Sequence, residues 1–163
     1  MAVRSRVLAG AMRARVAAAY LLLCCACAAR EPVLDMEWTG ADTGRATLTV
    51  TARHCDGNPL ELIAMSGDTG IAIGLFGDGV GKPGTYEIRE PGNVLPRGAT
   101  LGARWLDSAA VKAYRASAGS VTLSAGAPEL AGRFAAEARE TGETAPVKIS
   151  GTFRGVTISG CGG

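Results

Sequence analysis

From Arg45 to Arg53 the chain alternates without a break, with Ala46, Leu48, Val50 and Ala52 on one side and Thr47, Thr49 and Thr51 on the other. A period of two sends these sets to opposite faces of an extended strand, so the stretch reads as a half-buried β-strand. Such a strand must have neighbours that cover its apolar face. The rest of the sequence supplies them, because Gly, Pro, Asn and Asp recur about every eight to twelve residues, the spacing of an all-β sandwich or barrel. Leu60 to Met65 and Ile71 to Phe76 are short apolar runs on either side of Ser66-Gly67-Asp68-Thr69-Gly70, a hairpin loop. Thr85 to Arg89 and Ala103 to Leu106 follow, divided by turns at Pro91-Gly92-Asn93 and Pro96-Arg97-Gly98. Val121 and Leu123 share a face of a strand that begins at Ser120. Val147, Ile149, Gly151 and Phe153 share another, and Val156 to Ile158 leads to Cys161. Glycine, at 23 of 163 residues, is about twice its usual share of roughly 7 %. It falls in turn-like clusters with no collagen period.

Two segments admit a helix or a strand. Pro128 to Arg139 is rich in helix formers, with Leu130, Phe134 and Ala138 at i, i+4 spacing, yet the same residues also alternate at period two. Residues 109–117 share the ambiguity.

The N-terminus has a different character. Residues 1–15 carry Arg4, Arg6, Arg13 and Arg15 and no acid, and an uncharged run of 14 residues then extends from Val16 to Ala29. A spanning helix needs about 20 apolar residues. A basic n-region, a short apolar h-region and small residues at its end describe a secretory signal peptide. Its last residues, Leu21-Leu22-Leu23-Cys24-Cys25-Ala26-Cys27, resemble the lipobox of bacterial lipoproteins, in which the cysteine is diacylated and becomes the new N-terminus. Cys27, preceded by Ala26, fits that role best, although Cys24 stands where Leu is usual, and Cys25 has Leu22 at the expected spacing. The resemblance implies a signal peptide over 1–26, an anchor and short tether over 27–35, and a β-domain over 36–163. With Ala28 after the anchor it also implies the outer membrane, facing the periplasm. Ordinary cleavage near Ala26 to Ala28, releasing a soluble periplasmic or secreted protein, is the alternative.

Processing changes the cysteine count from odd to even. Once Cys24 and Cys25 leave and Cys27 is acylated, Cys55 and Cys161 remain, and in an oxidising compartment an even pair reads as a disulfide. A metal site would have to use His54, the single histidine, where zinc wants three or four ligands. No metal and no cofactor is expected.

From Gly84 onward the chain reads Gly-Thr-Tyr-Glu-Ile, then Ala103-Arg104-Trp105, Tyr114-Arg115-Ala116-Ser117, Gly119-Ser120-Val121-Thr122-Leu123, Leu130-Ala131-Gly132-Arg133-Phe134, and Ile149-Ser150-Gly151-Thr152-Phe153-Arg154-Gly155-Val156 before Cys161. This order is similar to that of a group of small uncharacterised bacterial lipoproteins. The resemblance implies an extracytoplasmic domain of consecutive antiparallel strands, with hairpin turns at Ala118-Gly119 and Thr141-Gly142-Glu143. It carries no activity with it.

Charge excludes one class of function. From Cys27 onward there are 13 basic and 15 acidic residues, so the folded part lacks the basic excess that phosphate-facing surfaces need, and no nucleic-acid partner is expected. Gly79-Val80-Gly81-Lys82-Pro83-Gly84 matches GxGxxG, but a dinucleotide site needs those glycines to open a helix, and here the strand-like Thr85 to Ile88 follows. No serine sits in a GxSxG elbow. Paired acids such as Asp35 with Glu37, or Glu137 with Glu140, serve glycoside chemistry only at about 5 to 10 Å separation. Asp56-Gly57-Asn58, Asp68 and Asp78 lack the regular calcium-loop spacing. The residues therefore point to an all-β domain, an antiparallel sandwich or partly open barrel of about eight to ten strands, that is not an enzyme. It is read as a lipid-anchored cell-envelope module, structural or binding, reaching the membrane through its N-terminal anchor. The alternative is a small-ligand carrier with a barrel cavity.

Overall fold

The computed structural model describes residues 31–40, 42–90, 96–108 and 110–160. Period-two alternation governs it from the first strand. β1 (Val33–Thr39) turns Leu34, Met36 and Trp38 inward, and β2 (Thr43–His54) turns Leu48, Val50 and Ala52 inward while its threonines face out. β3 (Leu60–Ser66) and β4 (Thr69–Gly77) are joined at Gly67 and Asp68, with Ser66 opposite Thr69. Gly67, at φ 57°, takes the left-handed conformation that such a two-residue turn requires. β5 (Gly84–Glu87), β6 (Arg97–Asp107), β7 (Ala110–Ala125), β8 (Glu129–Glu140) and β9 (Pro146–Gly160) complete the chain, and no helix occurs among the described residues.

Eight strands close into an antiparallel barrel in the order β1-β2-β3-β4-β6-β7-β8-β9, with β9 returning to β1. Closure is complete, where the sequence allowed a partly open one, and it removes the edges that an open sheet would expose. β5 is the extra strand. β7 pairs with β6 as far as Arg115 and with β5 from Ser120 to Leu123, and the change of partner falls at the register shift between Ala116 and Ala118. At that same end β1 is missing, since it begins only at Val33, opposite Thr49. There β2 and β9 meet directly in parallel, Ala52 to His54 beside Ile158 to Gly160.

Three expectations are corrected. Ala118-Gly119 is not a hairpin turn but lies inside β7, just past a bulge between Ala116 and Ala118: Gly119 has φ 127°, and a Cβ there would run into the carbonyl of Ala135 on β8. Val33 to Asp35 belong to β1 rather than to a tether, with Leu34 buried. Arg97 and Gly98 open β6 instead of forming a turn. Thr141-Gly142 does turn β8 into β9, with Gly142 at φ 93° and the Glu143 amide donating to the Glu140 carbonyl at 3.1 Å. Pro91-Gly92-Asn93 lies outside the described residues.

Both ambiguous segments are strands over their described residues from Ala110 in β7 and from Glu129 in β8. β8 buries Leu130, Phe134, Ala136 and Ala138 and is bonded on both sides, to β7 and β9. Helix propensities differ by only about 0.7 kcal/mol per ordinary residue, whereas each large inward side chain gains roughly 1.5–3 kcal/mol by burial, so the barrel decides.

Glycine has a second use besides turns. Gly44 lies under Trp38, Gly132 under Phe153 and Gly151 under Phe134 inside the barrel. Gly70 lies under Met65 and Gly98 under Phe76 outside it. Each pair stands directly cross-strand. The missing side chain on one strand is thus filled by a large one from its neighbour, which covers the bare backbone and pins the register.

Candidate functional site

An eight-stranded barrel has an interior that side chains fill or that holds one small ligand. Here the largest fully buried side chains are Trp105, Tyr86 and Phe153, followed by leucines and isoleucines from five of the strands and by Ile88 just after β5, and no polar residue is buried among the described residues. One end is closed by a stack in which Trp105 lies between Trp38 and Tyr114, with ring centroids 4.7 and 4.0 Å apart. Asp42, at the tip of the β1–β2 hairpin, accepts both indole N–H groups, from Trp38 at 3.1 Å and Trp105 at 2.9 Å. One carboxylate therefore ties the two rings together through charge-assisted bonds.

The glycine-rich segment covers the other end. Gly79, Gly81 and Gly84 all have positive φ, and the Tyr86 hydroxyl lies 3.1 Å from the Gly79 carbonyl and 2.9 Å from that of Lys82, donating between them. Arg97 stacks its guanidinium 4.0 Å above the Tyr86 ring. Carbonyls of this loop point at Tyr86, and the chain runs on into β5, so it does not form the amide-lined helix start that cradles a phosphate.

Two concave surfaces lie on the outer wall. One is polar and crosses β1, β2 and β9. Asp35 there accepts from Thr47 at 2.7 Å and from Arg154 at 3.2 Å, and Glu37 accepts from Ser150 at 3.0 Å. The Thr47 hydrogen bond, then Arg154, hold the Asp35 carboxyl below the usual carboxylate range. An acid stabilised in its ionised form is not poised to protonate a leaving group. Glu137 stands opposite Lys148, and Glu140 lies 3.5 Å from Lys112.

The other is an apolar trough of about 600 Å³ over β3, β4, β6 and β7. Small residues pave it: Gly74, Ala72, Gly102 and Ala113. Ile63 and Met65 rise on the β3 side, and Arg104 and Arg115 on the other. Register explains the shape, since Ile63, Ala72, Gly102 and Arg115 are successive cross-strand neighbours in one row. Sequence reasoning missed these residues. Their signal is the run of small outward positions, Gly70, Ala72 and Gly74, alternating with inward Ile71, Ile73 and Leu75, and it can be read only once the strand's two faces are assigned.

His54 is the last residue of β2, opposite Gly160, and Cys55 follows it. Cys24, Cys25, Cys27 and Cys161 lie outside the described residues. Asp56 and Asn58 make a turn in which the Asn58 amide donates to the Cys55 carbonyl at 2.9 Å. Among the described residues no group of three His, Cys, Asp or Glu is placed to hold a metal. Comparison with protein-family models, curated proteins and solved structures found no match to this chain.

Proposed function

We propose that this protein is a non-catalytic cell-envelope module of the small-lipoprotein type, exported through its N-terminal segment, acylated at Cys27 and stapled by a Cys55–Cys161 disulfide. It works by recognition on its outer wall. The observation that carries this reading is the interior filled by Trp105, Tyr86, Phe153 and their aliphatic neighbours. A barrel whose inside is core offers its surface for binding. The parallel pairing of His54 with Gly160 supports the staple, because it sets the residues that precede the two cysteines side by side.

The carrier reading keeps one observation in its favour, the closed eight-stranded topology itself, which elsewhere encloses ligands. It requires room where the rings now sit. Mass spectrometry of the protein from bacterial membranes tests the anchor: a diacylglyceryl-cysteine N-terminus at Cys27 is expected. A free N-terminus at Ala29 in a soluble periplasmic fraction would refute it.

A further inference from the structure

The wall formed by β3, β4, β6 and β7 brings exposed apolar side chains and arginines together. All four exposed large hydrophobic residues among those described, Ile63, Met65, Leu106 and Val111, are on these strands, and Leu106 and Val111 are direct cross-strand partners. Clustered apolar exposure on one wall marks an interaction surface. Beside it stand four exposed arginines. Arg89, Arg104 and Arg115 line the trough, and Arg139 is the next residue in the Ile63–Ala72–Gly102–Arg115 row. None of the four makes an ion pair with a described residue; the same holds for Arg45, Lys82, Arg133 and Lys148 elsewhere, but only here do such cations border exposed apolar residues. Arg115 and Arg139 face each other directly across β7 and β8. Like charges in that arrangement oppose pairing of the strands, and an anion lying between them would remove the repulsion.

Shape limits what the anion belongs to. The walls at Ile63 and Arg115 are three strand spacings apart, about 14 Å between backbones, and an α-helix with its side chains is about 10–12 Å across. A flat bilayer cannot reach a floor recessed between two walls, and a single acyl chain is too thin to touch both. Gly102 lies open at the centre: a Cβ there would meet only the Tyr114 carbonyl, at 3.8 Å.

We infer that the trough is the docking site for an amphipathic helix of a partner protein, with small or apolar residues toward Gly74, Ala72 and Gly102 and a row of Asp or Glu toward Arg104, Arg115 and Arg139. This deepens the outer-wall reading and rests on it. The mode is helix-in-groove recognition, with apolar contacts supplying affinity and the arginines fixing direction.

The test uses the full-length protein, immobilised in nanodiscs of neutral phosphatidylcholine, to select from a displayed library of random amphipathic helices. Sequences with an acidic row flanking an apolar stripe are expected, and their synthetic peptides should bind at least tenfold more weakly to the Gly102→Leu and Arg115→Glu variants, each first shown by thermal melt to be folded. Binding should also weaken as salt rises. Selection of helices without the acidic row, or selection that Gly102→Leu leaves unchanged, would overturn the proposal. So would phosphatidylglycerol vesicles that bind the wild type and not the two variants, which would make the partner a membrane. A dimer in sedimentation that Gly102→Leu dissolves would make it a second copy of the chain. The anchor and the packed interior are tested by separate measurements, so failure here does not count against them.

Discussion

Phe153 shows how one side chain can serve two strands. It is buried on β9, and its ring covers Gly132 on β8. Truncation to alanine therefore leaves a cavity and also bares backbone, and Phe153→Ala is expected to cost about 3–5 kcal/mol in a denaturant melt. The glycine side of the pair gives a sharper contrast. A Cβ at Gly132 would collide with the Thr122 carbonyl and the Phe153 ring, while one at Gly102 meets ordinary contact only. Gly132→Ala should destabilise strongly and Gly102→Ala should change little, and equal effects would show that the ring does not need bare backbone beneath it. A sequence this poor in aromatic residues points to Trp38, Trp105, Phe134 and Phe153 as core, and all four are buried. It did not reveal which glycines Trp38, Phe134 and Phe153 cover, since cross-strand partners are fixed by register and not by neighbours in the chain.

Tyr114 carries the residue-scale pH dependence. Burial, followed by the Asp42 charge, pushes its phenol above the ordinary value. A group whose folded pKa is raised gives stability that is fully present below its unfolded pKa, about 10, and lost as pH rises through the folded value. Lys112, raised chiefly by its hydrogen bond to Asp107, acts in the same alkaline window. Stability should thus decline at alkaline pH, and Tyr114→Phe should remove part of the slope while Lys112 keeps the remainder. An unchanged slope in that variant would show that the phenol is not held in its neutral form.

Among the elements, β7 and β9 do most to define the barrel. β7 is 16 residues long and serves two successive partners, β6 and β5, with the bulge at Ala116–Ala118 re-aiming the strand between them. A two-for-one bulge breaks the alternation on which sequence reading depends, and this is why a turn was expected at Ala118-Gly119. The clean alternation of Arg45 to Arg53, by contrast, was legible because β2 has no such break until its end. β9 closes the barrel against β1 and reaches β2 at its C-terminal end. If Cys161 is bonded to Cys55, the staple fixes that closure, and Cys55→Ser should lower stability by roughly 2–5 kcal/mol. Peptide mapping without reductant should recover the linked pair. Two free thiols in protein made in an oxidising compartment would remove the staple from the account.

At the scale of the whole molecule, a barrel can place its chemistry inside, at its mouths or on its wall. Here the inside is core, one mouth is closed by the Trp38–Trp105–Tyr114 stack over Asp42, and the other by the glycine-rich loop hydrogen-bonded to Tyr86. The sequence made the fold class legible, because alternation and turn spacing are local. The trough was not, because a groove made of absent side chains on three strands appears only when those strands are set side by side. Methyl NMR distinguishes a packed barrel that binds on its wall from one that binds inside. Leu34, Ile73 and Val121 report from inside the barrel and Ile63 and Met65 from its wall, while the full-length protein is titrated with fatty acids and then with trough-selected helical peptides. A packed interior keeps the inward methyls in place throughout, while Ile63 and Met65 shift with the peptides. Saturable shifts of the inward methyls with a fatty acid would contradict that packing and make the barrel a carrier.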